Sequence, residues 1–296
     1  MSSTNGKSQR LLITGSNGRI GRLLSARLCR PGRQLRLLDL EHDPSHVPPG
    51  AEFIQGSVID QGLMARAADG VDAIVHLAGI AAEAPWPAIL DVNVHGTWTV
   101  LEAARRAGVP KVVLASSNHA VGMQRRSGTG ATTESPLRIG DGDGDGGGGV
   151  APDSYYGFSK TAMEALGKLF AAKEPGLCVV AVRIGSCWAE PRHERALSIW
   201  LSPDDLARLV EAVLRPEVTG YHCVWGVSRN TRRWWSLDEG EAVGFHPVDD
   251  AEVFAHRFQG AEASREEWAD VPDELDYVGG VFPSWDLGVH GKAKRP

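Results

Sequence analysis

With 296 residues, 42% of them hydrophobic, the chain has the length for one large α/β domain or two modest ones and the material for an ordinary core. A formal net charge of -6 excludes a global basic field for nucleic acid, and the short basic end GKAKRP does not change that. No apolar run approaches the roughly 18 residues of a membrane span, and MSSTNGKSQR lacks a secretory apolar segment, so no membrane partner and a cytoplasmic location are expected.

The first two thirds alternate short β-rich runs with helical patterns, which predicts a Rossmann-type doubly wound parallel sheet covered by helices on both faces. Strands are expected at Arg10–Thr14, Gln34–Leu38, Glu52–Gln55, Ala73–His76, Lys111–Ala115 and Cys178–Arg183. Helical patterns cover Pro87–Ala107 and a stretch from about Tyr155, with Ala162, Leu166, Leu169 and Phe170 at helical spacing. The glycine-rich run at about 127–152 reads as an inserted loop. Its DGDGDG resembles half a calcium loop, but Pro152 stands where the bidentate glutamate is needed. After Arg183 the clearest helix is LSPDDLARLVEAVLRP, capped by Ser202, followed by a strand YHCVWG. Residues 1–183 are expected to bind a nucleotide, and 184–296 to cap the sheet without forming an independent domain. Cys29, Cys178, Cys187 and Cys223 show no paired spacing, so reduced thiols and no metal site are expected.

The first strand runs into TGSNGRIG, with Gly15, Gly18 and Gly21 opening a helix. Such a turn lets a pyrophosphate approach the helix amino terminus, where unpaired N–H groups and the dipole favour negative charge. The second strand ends in Asp39, where an acid can accept ribose hydroxyls and repel the extra phosphate of NADP, so NAD is expected. Arg19 is either a phosphate ligand or a solvated arginine. Leu77, Ala78 and Gly79 are small enough to let the nucleotide lie close, while His76 reads as a core histidine.

Two strand ends and a helix carry the chemistry. ASSNHAVG follows the apolar KVVL, and YYGFSK places Tyr156 and Lys160 on one helix face. An ammonium beside a phenol, aided by a positive nicotinamide, is expected to lower the tyrosine pKa toward neutrality. Tyr156 then takes a proton from a substrate hydroxyl that Ser117 also holds.

These motifs, with LAG, NVHGTWTVLEAA and SSNHAVG in the same order, resemble the extended short-chain dehydrogenase/reductase family. Within it SSNH, VRIGSC, EPRHERALSIWLSPDD and CVWGVSRNTRRWW are similar to the bacterial uronate dehydrogenases. That resemblance implies NAD-dependent oxidation of a hexuronic acid at C1 to an aldarolactone, and a homo-oligomer. It implies Asn118 and His119 on sugar hydroxyls, Ser186 on the substrate and Arg195 on its carboxylate, where a guanidinium gives two-pronged recognition. It places Asn17, Ile20, Leu40 and Ile184 about the cofactor and gives Asn93 a supporting role. Ala81, Ser57 and Val58 depart from the family pattern. A nucleotide-sugar epimerase or dehydratase, and a non-catalytic NAD-binding regulator, are the competing readings.

Overall fold

In the computed structural model residues 8–126, 132, 134, 136–140, 150–258 and 276–291 are described, so the DGDGDG run and most of 127–152 lie outside the described residues. Among the described residues there are seven strands: β1 Gln9–Thr14, β2 Arg33–Asp39, β3 Glu52–Gln55, β4 Ala73–His76, β5 Lys111–Ser117, β6 Cys178–Ile184 and β7 Tyr221–Gly226. They pair in parallel in the order β3-β2-β1-β4-β5-β6-β7. Strand order reverses between β1 and β4, the point where open α/β sheets bind ligands at their carboxyl ends.

Strand alternation sends side chains to two faces. Leu11, Ile13, Val75 and Val180 pack on one face with Leu24 and Leu28 of helix α1 (Arg19–Leu28). Leu12, Ile74, Val112 and Leu114 pack on the other with Met64 of α2 (Gln61–Ala68). The helical stretch expected at 87–107 is interrupted: α3 (Trp86–Ile89) passes into a π turn at Leu90–His95 and then α4 (Gly96–Ala107). The π turn seats Asn93, whose Oδ1 accepts from the Ile80 N–H at 2.8 Å and whose Nδ2 donates to Ser159 Oγ at 3.0 Å.

Helix α5 (Tyr155–Lys173) crosses between β5 and β6, starting behind Ser154, whose Oγ accepts from the Gly157 N–H at 2.9 Å. The strand expected to stop at Ala115 continues to Ser117, and its partner continues to Ile184. The extension is possible because the polar end is paired. Ser116 Oγ donates to Glu164 Oε1 of α5 at 2.5 Å, and Arg183 grips the same carboxylate through Nε at 2.9 Å and Nη2 at 2.8 Å.

Beyond β6 come α6 (Ala196–Ile199), α7 (Pro203–Val213) and α8 (Asp238–Ala242). Trp225 and Trp235 stack at 4.5 Å and, with Val121, Trp234 and Val278, form an apolar cluster that joins the end of β7 to residues 276–291.

Replacing Glu164 by alanine leaves the buried Arg183 guanidinium without its carboxylate, so urea unfolding should show a loss of about 3–5 kcal/mol. Glu164→Gln should lose less. A loss below about 1 kcal/mol for the alanine variant would place the stability of this sheet end elsewhere.

Candidate active site

The turn after β1 can be built only with glycine at two points. Gly15 has φ 71°, and a Cβ there would lie 2.6 Å from the Ala78 backbone nitrogen. A Cβ on Gly21 would overlap the Gly15 carbonyl oxygen. Gly18 precedes α1 and exposes its first N–H groups. Asp39 stands at the rim of the turn, its carboxylate accepting from the Asn17 N–H and the Leu40 N–H, each at 2.7 Å. Carboxylate oxygens keep acceptor capacity beyond those bonds, so Asp39 can still take ribose hydroxyls.

A cleft of about 560 Å³ runs from Asp39 past Ser57 and Val58 to Leu77, Ala78 and Gly79. Ser16 Oγ, inside the glycine turn, is buried with no hydrogen-bond partner among the described residues. An orphaned hydroxyl, exposed helix N–H groups and an acid at the far rim together fit a dinucleotide. Ile20 is partly buried, its side chain packing against the core.

Arg19 is exposed beside the glycine turn. Its guanidinium lies 3.6 Å from the centroid of the Trp188 ring, and Nε donates to the Cys187 carbonyl at 3.1 Å. Arg192 lies 3.9 Å from the same ring centroid. Arg19 therefore links the glycine turn to the segment after β6, and partial desolvation lowers its pKa. His76 is fully buried between Thr14 Oγ1 at 2.8 Å and Thr97 Oγ1 at 3.3 Å, and burial holds its pKa down to about 3. It is a neutral core histidine.

Tyr156 and Lys160 come together with Ser117 at the end of β5. Lys160 Nζ donates to the Ala115 carbonyl at 2.7 Å and lies 5.4 Å from the Tyr156 ring centroid. Among the protein's own groups, burial dominates the Tyr156 phenol. Burial pushes Tyr156 up to about 12, with Asp153 adding to the rise and the Ser117 hydroxyl and Arg19 opposing it. Burial also lowers Lys160 to about 8.

The residues expected on a substrate converge as well. Asn118 Nδ2 donates to the Val278 carbonyl at 2.6 Å, and Arg195 Nη2 donates to the same oxygen at 2.8 Å. Ser117 Oγ donates to Asn118 Oδ1 at 3.2 Å and lies 3.5 Å from the Ile184 carbonyl. Ser186 Oγ, two residues past β6, is buried with no partner among the described residues. The His119 ring lies 5.5 Å from that of Tyr156 and 3.9 Å from that of Phe282. Among the described residues no group of three or more His, Cys, Asp or Glu side chains is placed to hold a metal ion.

Sequence reasoning missed three groups that shape the site. Glu83 accepts from the backbone N–H of Tyr155 at 3.2 Å, Tyr156 at 2.9 Å and Gly288 at 2.7 Å, tying the start of α5 to the C-terminal segment. Asp153 pairs with His119, and Phe282 covers it. Only Asp153 left a local signal, standing with the capping Ser154 directly before the helix.

Residues 11–234 match the NAD dependent epimerase/dehydratase family. A uronate dehydrogenase of Pseudomonas syringae pv. tomato is 35% identical over 92% of each chain. An NAD-dependent glucose-6-phosphate dehydrogenase of Haloferax volcanii is 34% identical over 83% of this chain and 95% of its own. The crystal structure of a uronate dehydrogenase from Agrobacterium tumefaciens, a tyrosine-to-alanine mutant complexed with NAD, superposes with a TM-score of 0.81 at 35% identity, covering 94% of this chain and 98% of that one. With the glycine turn, the acid at the end of β2 and the Tyr156–Lys160 pair in place, the chain belongs to the NAD dependent epimerase/dehydratase family.

Proposed function

We propose that the protein is an NAD-dependent oxidoreductase that oxidises a hexuronic acid, glucuronate or galacturonate, at C1 to the aldarolactone. The observation that carries this reading is the Val278 carbonyl shared by Asn118 and Arg195. It sets a guanidinium beside the polar end of β5, so an acid group and an anomeric hydroxyl can be met by separate side chains of one site. Likeness to uronate dehydrogenases over most of the chain supports the same substrate class.

The cleft from Asp39 to Gly79 would hold NAD, which would supply the acceptor for the hydride that leaves the anomeric carbon. Tyr156 Oη takes the proton of the anomeric hydroxyl, while Ser117 Oγ holds that oxygen in place. The ring oxygen stays attached to C1, so loss of the two hydrogens gives a lactone. Lys160 fixes the direction of the phenol side of α5 from below, and Arg195, with Ser186, Asn118 and His119, fixes which carbon is presented. Residues 184–296 act as the cap over this end of the sheet. A cytoplasmic homo-oligomer completes the reading, and sedimentation of the purified protein tests the assembly.

Purified protein with NAD and either uronate should form NADH, measured by absorbance, and glucose 6-phosphate should be a poor substrate. Oxidation of the sugar phosphate with none of either uronate, or isomerisation of a nucleotide sugar, would overturn the proposal. Arg195→Ala should lose about 100-fold in kcat/KM, mostly through KM. Ser117→Ala should lose about 100-fold, mostly through kcat, and near-normal turnover by the folded variant would remove Ser117 from the chemistry.

The pH dependence follows from the raised phenol. A base is active only when deprotonated, and a pKa raised by burial moves deprotonation upward, so kcat/KM should climb from neutral into alkaline pH. Activity that falls over that range would contradict Tyr156 as the base.

A further inference from the structure

The Asp153 carboxylate occupies space that three glycines from three segments leave open. A Cβ on Gly122, after β5, or on Gly279, in the C-terminal segment, would overlap Asp153 Oδ2, and one on Gly157, in α5, would lie 2.8 Å from Oδ1. The side chain is fully buried and makes two directed bonds. His119 Nδ1 lies 2.7 Å from Oδ2, and Ser154 Oγ donates to Oδ1 at 2.7 Å. The first N–H groups of α5 are taken by Ser154 Oγ and the Glu83 carboxylate, so the helix start does not account for the buried acid.

We propose that Asp153 is a positioning residue that holds His119 as the Nδ1–H tautomer, so that Nε2 presents a lone pair to a hydroxyl of the sugar acid. The inference rests on the function proposed above and extends it to the polarity of one contact. A carboxylate can only accept, so the hydrogen between Oδ2 and Nδ1 belongs to the ring. A neutral imidazole with hydrogen on Nδ1 has its acceptor at Nε2. The ring has little freedom to turn, since Phe282 lies against it at 3.9 Å and Tyr156 at 5.5 Å. His119 then accepts from the sugar, whereas Asn118, through its amide, has a donor as well as an acceptor.

The direction of the Ser154 bond makes the inference testable with a near-isosteric change. Ser154 Oγ donates its hydrogen to Asp153 Oδ1 while accepting from the Gly157 N–H. With that donation kept in Asp153→Asn, the amide oxygen lies on the serine side and the NH₂ faces His119. Nδ1 must then accept, and the ring hydrogen moves to Nε2. Removing the serine hydroxyl as well, in D153N/S154A, lets the amide turn round and return its oxygen to His119.

The experiment is nitrogen-15 NMR of the full chain labelled at histidine, with His119 assigned by its loss in His119→Gln, together with turnover and NAD binding. Wild type should carry hydrogen on Nδ1 alone. Asp153→Asn should carry it on Nε2 and lose about 10- to 100-fold in kcat/KM for the sugar acid, with NAD affinity within about twofold of wild type. The double variant should recover the Nδ1–H ring and much of the lost turnover, which a merely structural role would not allow. Hydrogen on Nε2 of the wild-type ring, as the other tautomer or the imidazolium, overturns the inference even if Asp153→Asn fails to fold. So does unchanged turnover in Asp153→Asn, or a double variant no more active than the single one. Absence of sugar-acid oxidation by wild type defeats the proposed function instead, while the ring spectrum still reports the tautomer.

Discussion

Burial of the Tyr156 hydroxyl sets the terms for every other group at the site. Taking a phenol out of water disfavours its anion, and here that effect exceeds the help from the Ser117 hydroxyl and the Arg19 guanidinium, leaving the group near 12. The same low dielectric makes each added charge and hydrogen bond count for more than it would at the surface. A substrate oxygen or a positive ring arriving beside Tyr156 therefore acts on a group with little solvent to screen it.

That arrangement needs helix α5 to be held at a fixed height on the sheet. Tyr156, Lys160 and Glu164 follow one another at i, i+4 and i+8, so they share the face turned to the strands. Glu164 locks the lower part of this row to Ser116 and Arg183, and Lys160 reaches Ala115 between them. At the top, Glu83 binds two backbone N–H groups of the first turn, and Asn93 in the π turn donates to Ser159. Adjacent serines of β5 thus do different work. Ser116 belongs to a buried ion pair, and Ser117 to the open end of the strand.

Much of this was legible because its physics is local. A glycine turn between strand and helix, an acid at the next strand end and a Tyr-Lys pair at helical spacing each need only a few neighbouring residues to be recognised. The fold followed from strand and helix periodicity, and the strand bounds differed by a residue or two where polar side chains found partners across the sheet. What stayed hidden was set by distant convergence. Glu83 meets Gly288 across the fold, and Phe282 meets His119, with no spacing in the sequence to announce either contact. The place of Arg19 over the Trp188 indole was hidden too, because nothing near it in the sequence foretells that ring. The burial of the phenol stayed hidden for the same reason, since burial is a property of the whole fold.

The most direct measurement is an ultraviolet difference titration of Tyr156, wild type against Tyr156→Phe, with and without NAD. The free protein should show no Tyr156 phenolate until the pH nears about 12, and bound NAD should move its appearance to lower pH. A Tyr156 signal that already titrates near neutrality in the free protein, or one that NAD leaves unmoved, would contradict a buried phenol that becomes a base only when the site is assembled.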